Sequence, residues 1–210
     1  MKAFNPQCRT CPRIRHHLAK IKVQSPDYHC APVPGFGDPR ARFFILGLAP
    51  GWHGANKTGR PFTGDQSGDW LFEQLHRCGF SNLPESRSID NGLELIECYL
   101  SNAVKCFPPD NSPSAREVGN CQKYLQFEFA QLKSPAVVLA LGKVAHDAVL
   151  KAFGLTLGAA KFAHGAQHQI TSDLTLIDSF HCSKYNIQTR RIDKTSFAKV
   201  FDQVVELLRE

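Results

Sequence analysis

Apolar residues along this chain gather into short runs and into spaced stripes. Four segments read as runs: ARFFILGLAP at 41–50, ECYLSNAVK at 97–105, AVVLALG at 136–142 and LTLIDSF at 174–180. Short apolar runs bounded by Gly, Pro or polar residues predict strands buried on both faces. The stripes predict helices. One covers residues 12–22. A second starts at a cap, Ser67 or Asp69, and runs to about Cys78, with Gly79 as its stop. A third opens at Ser114, with Glu117 three residues on as the second half of a capping box. KVAHDAVLKAF at 143–153 and the amphipathic stretch 195–209 complete the set. Strands alternating with helices predict a parallel sheet covered on both faces. The expectation is a single α/β domain over 1–210: a three-layer α/β/α sandwich around a four-stranded parallel sheet.

Pro- and Gly-rich segments at 25–40, 51–66 and 107–113 read as loops, as does HCSKYNIQTRR at 181–191. Three loops, 49–66, 102–113 and 181–191, follow strand ends. In such sheets ligands bind beyond the carboxyl ends of the strands, so these loops are predicted to meet at one cleft.

Charge and cysteines narrow the chemistry. The net charge is +6. That excess suits a polyanion such as nucleic acid, although a mildly basic solvated surface gives the same total. Basic residues cluster at 9–22 and again at Lys184, Arg190, Arg191 and Lys194. No run approaches the ~20 apolar residues that cross a membrane, and the N-terminus has no apolar stretch of the secretory kind. The expected setting is the cytoplasm, with no membrane partner, as a monomer. Eight cysteines in 210 residues are too sparse for a disulfide scaffold. Cys8 and Cys11 form a C-x2-C, and Cys106 and Cys121 a C-x14-C. Four thiolates from two segments hold either one tetrahedral zinc or one cubane cluster, and spacing alone leaves both open. Cys30, Cys78 and Cys98 read as ordinary thiols.

Three motifs carry a family resemblance. GLAPGWHGANKTGRPFTGD at 47–65, NAVKCFPP at 102–109 and HCSKYNIQTRRI at 181–192 resemble, in the same order, the motifs of the iron–sulfur uracil-DNA glycosylases. The likeness spans residues 4–200. Leu48, where the family 4 enzymes carry Glu, and the TGD at 63–65 make the chain similar to family 5. The resemblance implies a 4Fe–4S cluster on Cys8, Cys11, Cys106 and Cys121. It also implies a monofunctional enzyme of base-excision repair. Such an enzyme flips uracil, or another deaminated base such as hypoxanthine, out of DNA and hydrolyses its glycosidic bond. A non-catalytic or covalently trapping uracil-DNA-binding iron–sulfur protein is the alternative.

The residues then take expected roles. Phe62 would stack on the flipped base, unless it is a core Phe. Asn102 would read the base edge, since an amide both donates and accepts, unless it only forms a turn. Ala49 and Gly51 would line the base pocket. His181 would donate to the uracil O2, where charge builds as the bond breaks. Leu48 and Ala49 bring no carboxylate, so Asp65 or Asn56 would orient water. Asp65 reads equally well as a helix cap. Tyr185 would wedge into the minor groove, with Ser183, Arg190 and Arg191 on the DNA. Cys182 stands where the family has Pro and should leave that loop looser.

Overall fold

The computed structural model describes residues 1–209. The four apolar runs form β2 (Phe43–Gly47), β3 (Cys98–Asn102), β4 (Ala136–Leu141) and β6 (Leu174–Ser179). They pair in parallel in the order β3-β2-β4-β6. Two further strands close the edges. β1 (Phe36–Gly37) pairs antiparallel with β3, and β5 (Gln167–Thr171) pairs antiparallel with β6. The sheet therefore has six strands, not four. β1 is two residues inside a Pro- and Gly-rich segment, and β5 reads QHQIT, so neither shows an apolar run.

Alternation along each strand splits the core in two. Phe44, Leu46, Val138, Ala140 and Leu176 face α1 (Pro12–Gln24), α4 (Ala115–Phe129) and α5 (Lys143–Ala152). Phe43, Ile45, Val137, Leu139 and Ile177 face α3 (Gln66–Arg77) and α7 (Lys194–Arg209). The three-layer arrangement follows from this two-sided burial.

The capping box of α4 is present as read: Ser114 Oγ accepts from the Glu117 amide and Glu117 reaches back to the Ser114 amide. At the start of α3 the capping role read as one option for Asp65 is the one observed. Asp65 Oδ1 accepts from the Gly68 amide at 3.0 Å, and the cap is not Ser67 or Asp69. Two segments read as loops contain single helical turns, α2 (Ala55–Thr58) and α6 (Lys184–Gln188). No helix among the described residues is long and apolar enough to cross a membrane.

One buried ion pair ties the segment after β3 to α4, and one half-exposed pair ties α1 to α4. Lys105 Nζ meets Glu128 Oε2 at 2.7 Å, and Ser101 Oγ donates to the same carboxylate at 3.0 Å. Arg13 forks onto Glu117, with Nε at 3.0 Å and Nη2 at 2.6 Å.

Candidate active site and cysteine cavity

The carboxyl ends of β2, β3, β4 and β6 open on one cavity of about 460 Å³. The β2 end leads through Leu48, Ala49, Pro50 and Gly51 along its wall. Gly47 itself is fixed by close approach. A Cβ there would meet Asn102 Oδ1 at 2.5 Å and Phe62 Cζ at 2.6 Å. Only Gly lets the amide and the ring converge on the same strand end. Phe62 holds a backbone φ of +53°, a left-handed conformation rare for an aromatic residue. Such strain persists where surrounding packing over-determines it, and it concentrates at functional sites. Asn102 is buried at the end of β3, and its amide makes no hydrogen bond within the protein among the described residues. An amide with open donors and acceptors on a cavity wall is equipped to read a hydrogen-bonding edge.

His181 enters from the other side, just past β6. Its ring lies 6.4 Å from the Phe62 ring at an interplanar angle of 26°. Burial pushes its pKa below the ordinary value, against a smaller upward pull from Asp65. The ring is therefore a neutral donor at neutral pH. Its main-chain carbonyl is gripped by Asn186 Nδ2 at 2.8 Å. One residue back, His164 Nδ1 accepts from the Phe180 amide at 3.2 Å and its ring stacks on Phe180. Asp65 serves two purposes at once. Oδ1 caps α3, while Oδ2 points toward Gly51 and Gly54, where a Cβ on Gly54 would collide with it.

Cys182, standing where the resemblance has proline, is anchored by a tertiary contact. Cys182 is fully buried, and its thiol donates to Ser67 O at 3.2 Å. Burial raises its pKa to about 12, so it stays a thiol. The contact ties the His181 segment to the first turn of α3, replacing ring stiffness with a tertiary bond.

Other candidates fall in different places. Ala49, Gly51, Phe62, Asp65, Asn102, His181 and Ser183 all line the cavity. Ser183 also caps α6, accepting from the Asn186 amide. Asn56 does not line it. Its side chain is buried, Nδ2 directed at Cys30 Sγ at 3.7 Å and Oδ1 without a partner. Tyr185, Arg190 and Arg191 do not line the cavity and are exposed. The Arg191 guanidinium lies 5.6 Å from the Tyr185 ring. Sequence reasoning missed one wall: Leu141, Gly142, Lys143 and Ala145, where β4 runs into α5. A Cβ on Gly142 would sit 3.8 Å from His181 Cβ, so this fourth strand end backs the histidine. The signal was present, since LGK ends an apolar run and opens a helix.

A second cavity, of about 680 Å³, is lined by Cys8, Cys11, Cys106 and Cys121 together. The distant pairs thus line one cavity. α1 begins at the residue after Cys11, and Cys121 lies on the facing side of α4. The Arg13–Glu117 fork holds the two helices together. The thiols feel one another: Cys106 is pushed far up by burial, then by Cys121, Cys8 and Cys11. At Cys8 burial acts upward too, but hydrogen bonds from Thr10 and Tyr124 and the Lys123 charge outweigh it. Cys30 also borders this cavity, although the sequence marked it as an ordinary thiol. Asn56 Nδ2 lies 3.7 Å from its sulfur, and burial raises its pKa.

Comparison with known proteins comes to the same place. Residues 34–206 match the family model described as the Uracil DNA glycosylase superfamily. The chain is 42% identical over 205 residues to a type-5 uracil-DNA glycosylase of Thermus thermophilus, covering 95% of this chain and 93% of that one. It is 41% identical over 197 residues to the type-5 enzyme of Pyrobaculum aerophilum, covering 92% and 85%. To that of Mycobacterium leprae it is 37% identical over 209 residues, covering 95% and 91%.

Proposed function

The chain belongs to the uracil-DNA glycosylase superfamily and to its type-5 branch, and on that premise we propose a division of labour among its residues. The protein is a uracil-DNA glycosylase of base-excision repair. The observation that supports the assignment most is the convergence of Phe62, Asn102 and His181 on one cavity at the strand ends. A base buried in a duplex cannot reach that cavity unless it is flipped. Phe62 offers a face on which the flipped pyrimidine stacks. The open amide of Asn102 pairs with the O4 and N3–H edge. Ala49 and Gly51 shape the wall beside the sugar.

Bond cleavage leaves electrons on the departing base, and negative charge grows on O2. The neutral His181 N–H donates to that oxygen, and the bond strengthens as charge builds, so it lowers the barrier rather than tightening ground-state binding. No carboxylate stands at Leu48 or Ala49 to support the sugar. Cleavage then runs dissociatively, with an oxocarbenium-like sugar flanked by DNA phosphates. Asp65 Oδ2, free of the capping bond, orients the water that captures C1′. Asn56, turned away toward Cys30, has no part in this step. Outside the cavity, Tyr185 fills the gap left in the stack. Ser183, Arg190 and Arg191 meet the backbone, where phosphate contacts position without reading sequence.

The 680 Å³ cavity fits a 4Fe–4S cluster held by Cys8, Cys11, Cys106 and Cys121. Thiolates around one zinc stand only about 3.8 Å apart, given a Zn–S bond of about 2.3 Å. Among the described residues, the only group of three or more His, Cys, Asp or Glu with all donor atoms within 4.8 Å contains no cysteine. No three of the cysteine sulfurs fall within that distance among the described residues, which favours a cubane over a single zinc. When bound, the cluster supplies a cross-link between the N-terminal segment and the loop after β3, and no chemical step passes through it.

The test is base release from oligonucleotides carrying one uracil, hypoxanthine or xanthine. Uracil release is expected, with hypoxanthine as a second substrate. Wild-type rates within a few-fold for both Asn102→Ala and His181→Ala would overturn the assignment of roles.

A further inference from the structure

Three residues outside both cavities form a second constellation. Asp178 is the penultimate residue of β6 and wholly buried. His146, on α5, is 1% exposed, and its Nδ1 lies 2.8 Å from Asp178 Oδ1. His168, on β5, is partly exposed, and its Nε2 lies 3.0 Å from Asp178 Oδ2. All three donor atoms lie within 4.8 Å of one another.

The orientation of His146 carries the argument. Its far nitrogen, Nε2, faces Ala160 O at 3.2 Å. A carbonyl only accepts, so Nε2 holds the ring proton. Nδ1 is then a lone pair aimed at a carboxylate oxygen in a dry interior. Two lone pairs at that distance repel unless a cation joins them. Either a second proton sits on the ring or a metal ion does. A histidine whose distal N–H is held by a backbone carbonyl, with the near nitrogen free, is the usual posture of a metal ligand. His168 brings a second imidazole, and its exposure leaves one coordination position open to water.

We propose that His146, Asp178 and His168 form a divalent-metal site of the zinc type, separate from the cysteine cavity. Imidazole and carboxylate ligands bind zinc at about 2.0–2.2 Å, so neighbouring donors stand about 3.3 Å apart. Each histidine nitrogen needs to part from its carboxylate oxygen by only a few tenths of an ångström. Binding releases the proton between His146 and Asp178 and moves the remaining His168 proton to Nδ1. The ion would pin α5, β5 and β6 together three residues before His181.

Zinc uptake by the full-length protein is the test, measured after chelator dialysis and with iron content determined in parallel. Expected is one zinc per chain, with X-ray absorption showing only nitrogen and oxygen neighbours near 2.0–2.1 Å. His168→Ala, at the exposed corner, should fold normally by circular dichroism. It should weaken zinc binding beyond the ~10–100-fold that loss of an outer partner costs. Zinc should raise the melting temperature of the wild type and not of this variant. Zinc bound through sulfur, or equal uptake by wild type and His168→Ala, would overturn the proposal. So would a wild type that binds no zinc, which would leave a proton as the bridging cation.

Discussion

Asp65 carries two tasks on one carboxylate, and a single atom exchange separates them. Asn caps helices as well as Asp does, so Asp65→Asn should keep α3 and cost only a few tenths of a kcal/mol. If Oδ2 orients water, the same change should slow single-turnover cleavage by ~10²-fold or more, the scale of acid–base and water-positioning groups. Asp65→Ala should lose the rate and also about 1 kcal/mol of stability. Denaturant melts beside single-turnover rates decide it; an Asn variant as fast as wild type would reduce Asp65 to a cap. Gly47→Ala belongs with it. A methyl there displaces Phe62 or Asn102. A shift of about 1 Å is worth ~10²-fold, read as a fall in rate on uracil with little change in binding to undamaged DNA.

The pH dependence of His181 follows from burial, which lowers its pKa in the folded protein. An unfolded His titrates near 6.5. Below that value the unfolded chain binds a proton that the folded site resists, so this group's stability contribution is present above about pH 6.5 and falls with acidification. Activity should share the direction. The acid limb of the single-turnover profile should lie below about 6.5, because the neutral ring is the working donor. An inflection at or above that value, absent in His181→Ala, would count against a buried neutral imidazole.

Among elements, the buried Lys105–Glu128 pair makes the sharpest case. Both side chains are almost wholly inaccessible, and Lys105 immediately precedes Cys106. Removing one partner of a buried pair strands the other charge and costs about 3–5 kcal/mol. Glu128→Gln should therefore lower the unfolding midpoint sharply. Glu128→Leu with Lys105→Met should recover much of the loss, since a hydrophobic pair of similar size avoids desolvation. A double variant no better than the single would show that the pair also orients Cys106. Elements were legible in the sequence where burial is two-sided. The four parallel strands declare themselves as apolar runs because both faces meet helices. β5 does not, because an edge strand needs only His168 and Ile170 inward, and QHQIT reads as polar. Its signal was the alternation and the Thr171–Asp173 turn into β6. α6 was hidden by its shortness, and the Cys182–Ser67 contact by its being tertiary, between segments over a hundred residues apart.

For the whole molecule, the question is what joins residues 8–11 to residues 106–121 across the face of the sheet. The site at the strand ends could be read from motif order, because loops after parallel strands must converge. The cysteine cavity could be read from spacing as four named ligands, Cys8, Cys11, Cys106 and Cys121, but not as which metal they hold. The structure adds a fifth sulfur, Cys30, at the same cavity, with Asn56 Nδ2 3.7 Å from it. That fifth sulfur makes a discriminating experiment. Protein purified without oxygen should be brown and hold about four irons per cubane. Cys106→Ser should lose iron and stability together, because ligand binding and folding are coupled. Cys30→Ser should keep both. The N-terminal segment of the Cys106→Ser protein should become more protease-sensitive, since the cluster cross-link is lost and only non-covalent contacts such as Arg13–Glu117 then hold it against α4. Iron retained in Cys106→Ser, or lost in Cys30→Ser, would assign the fourth ligand to Cys30. A colourless wild type with one equivalent of sulfur-bound zinc would replace the cubane by a tetrahedral ion and leave the cross-link, though not its chemistry, intact.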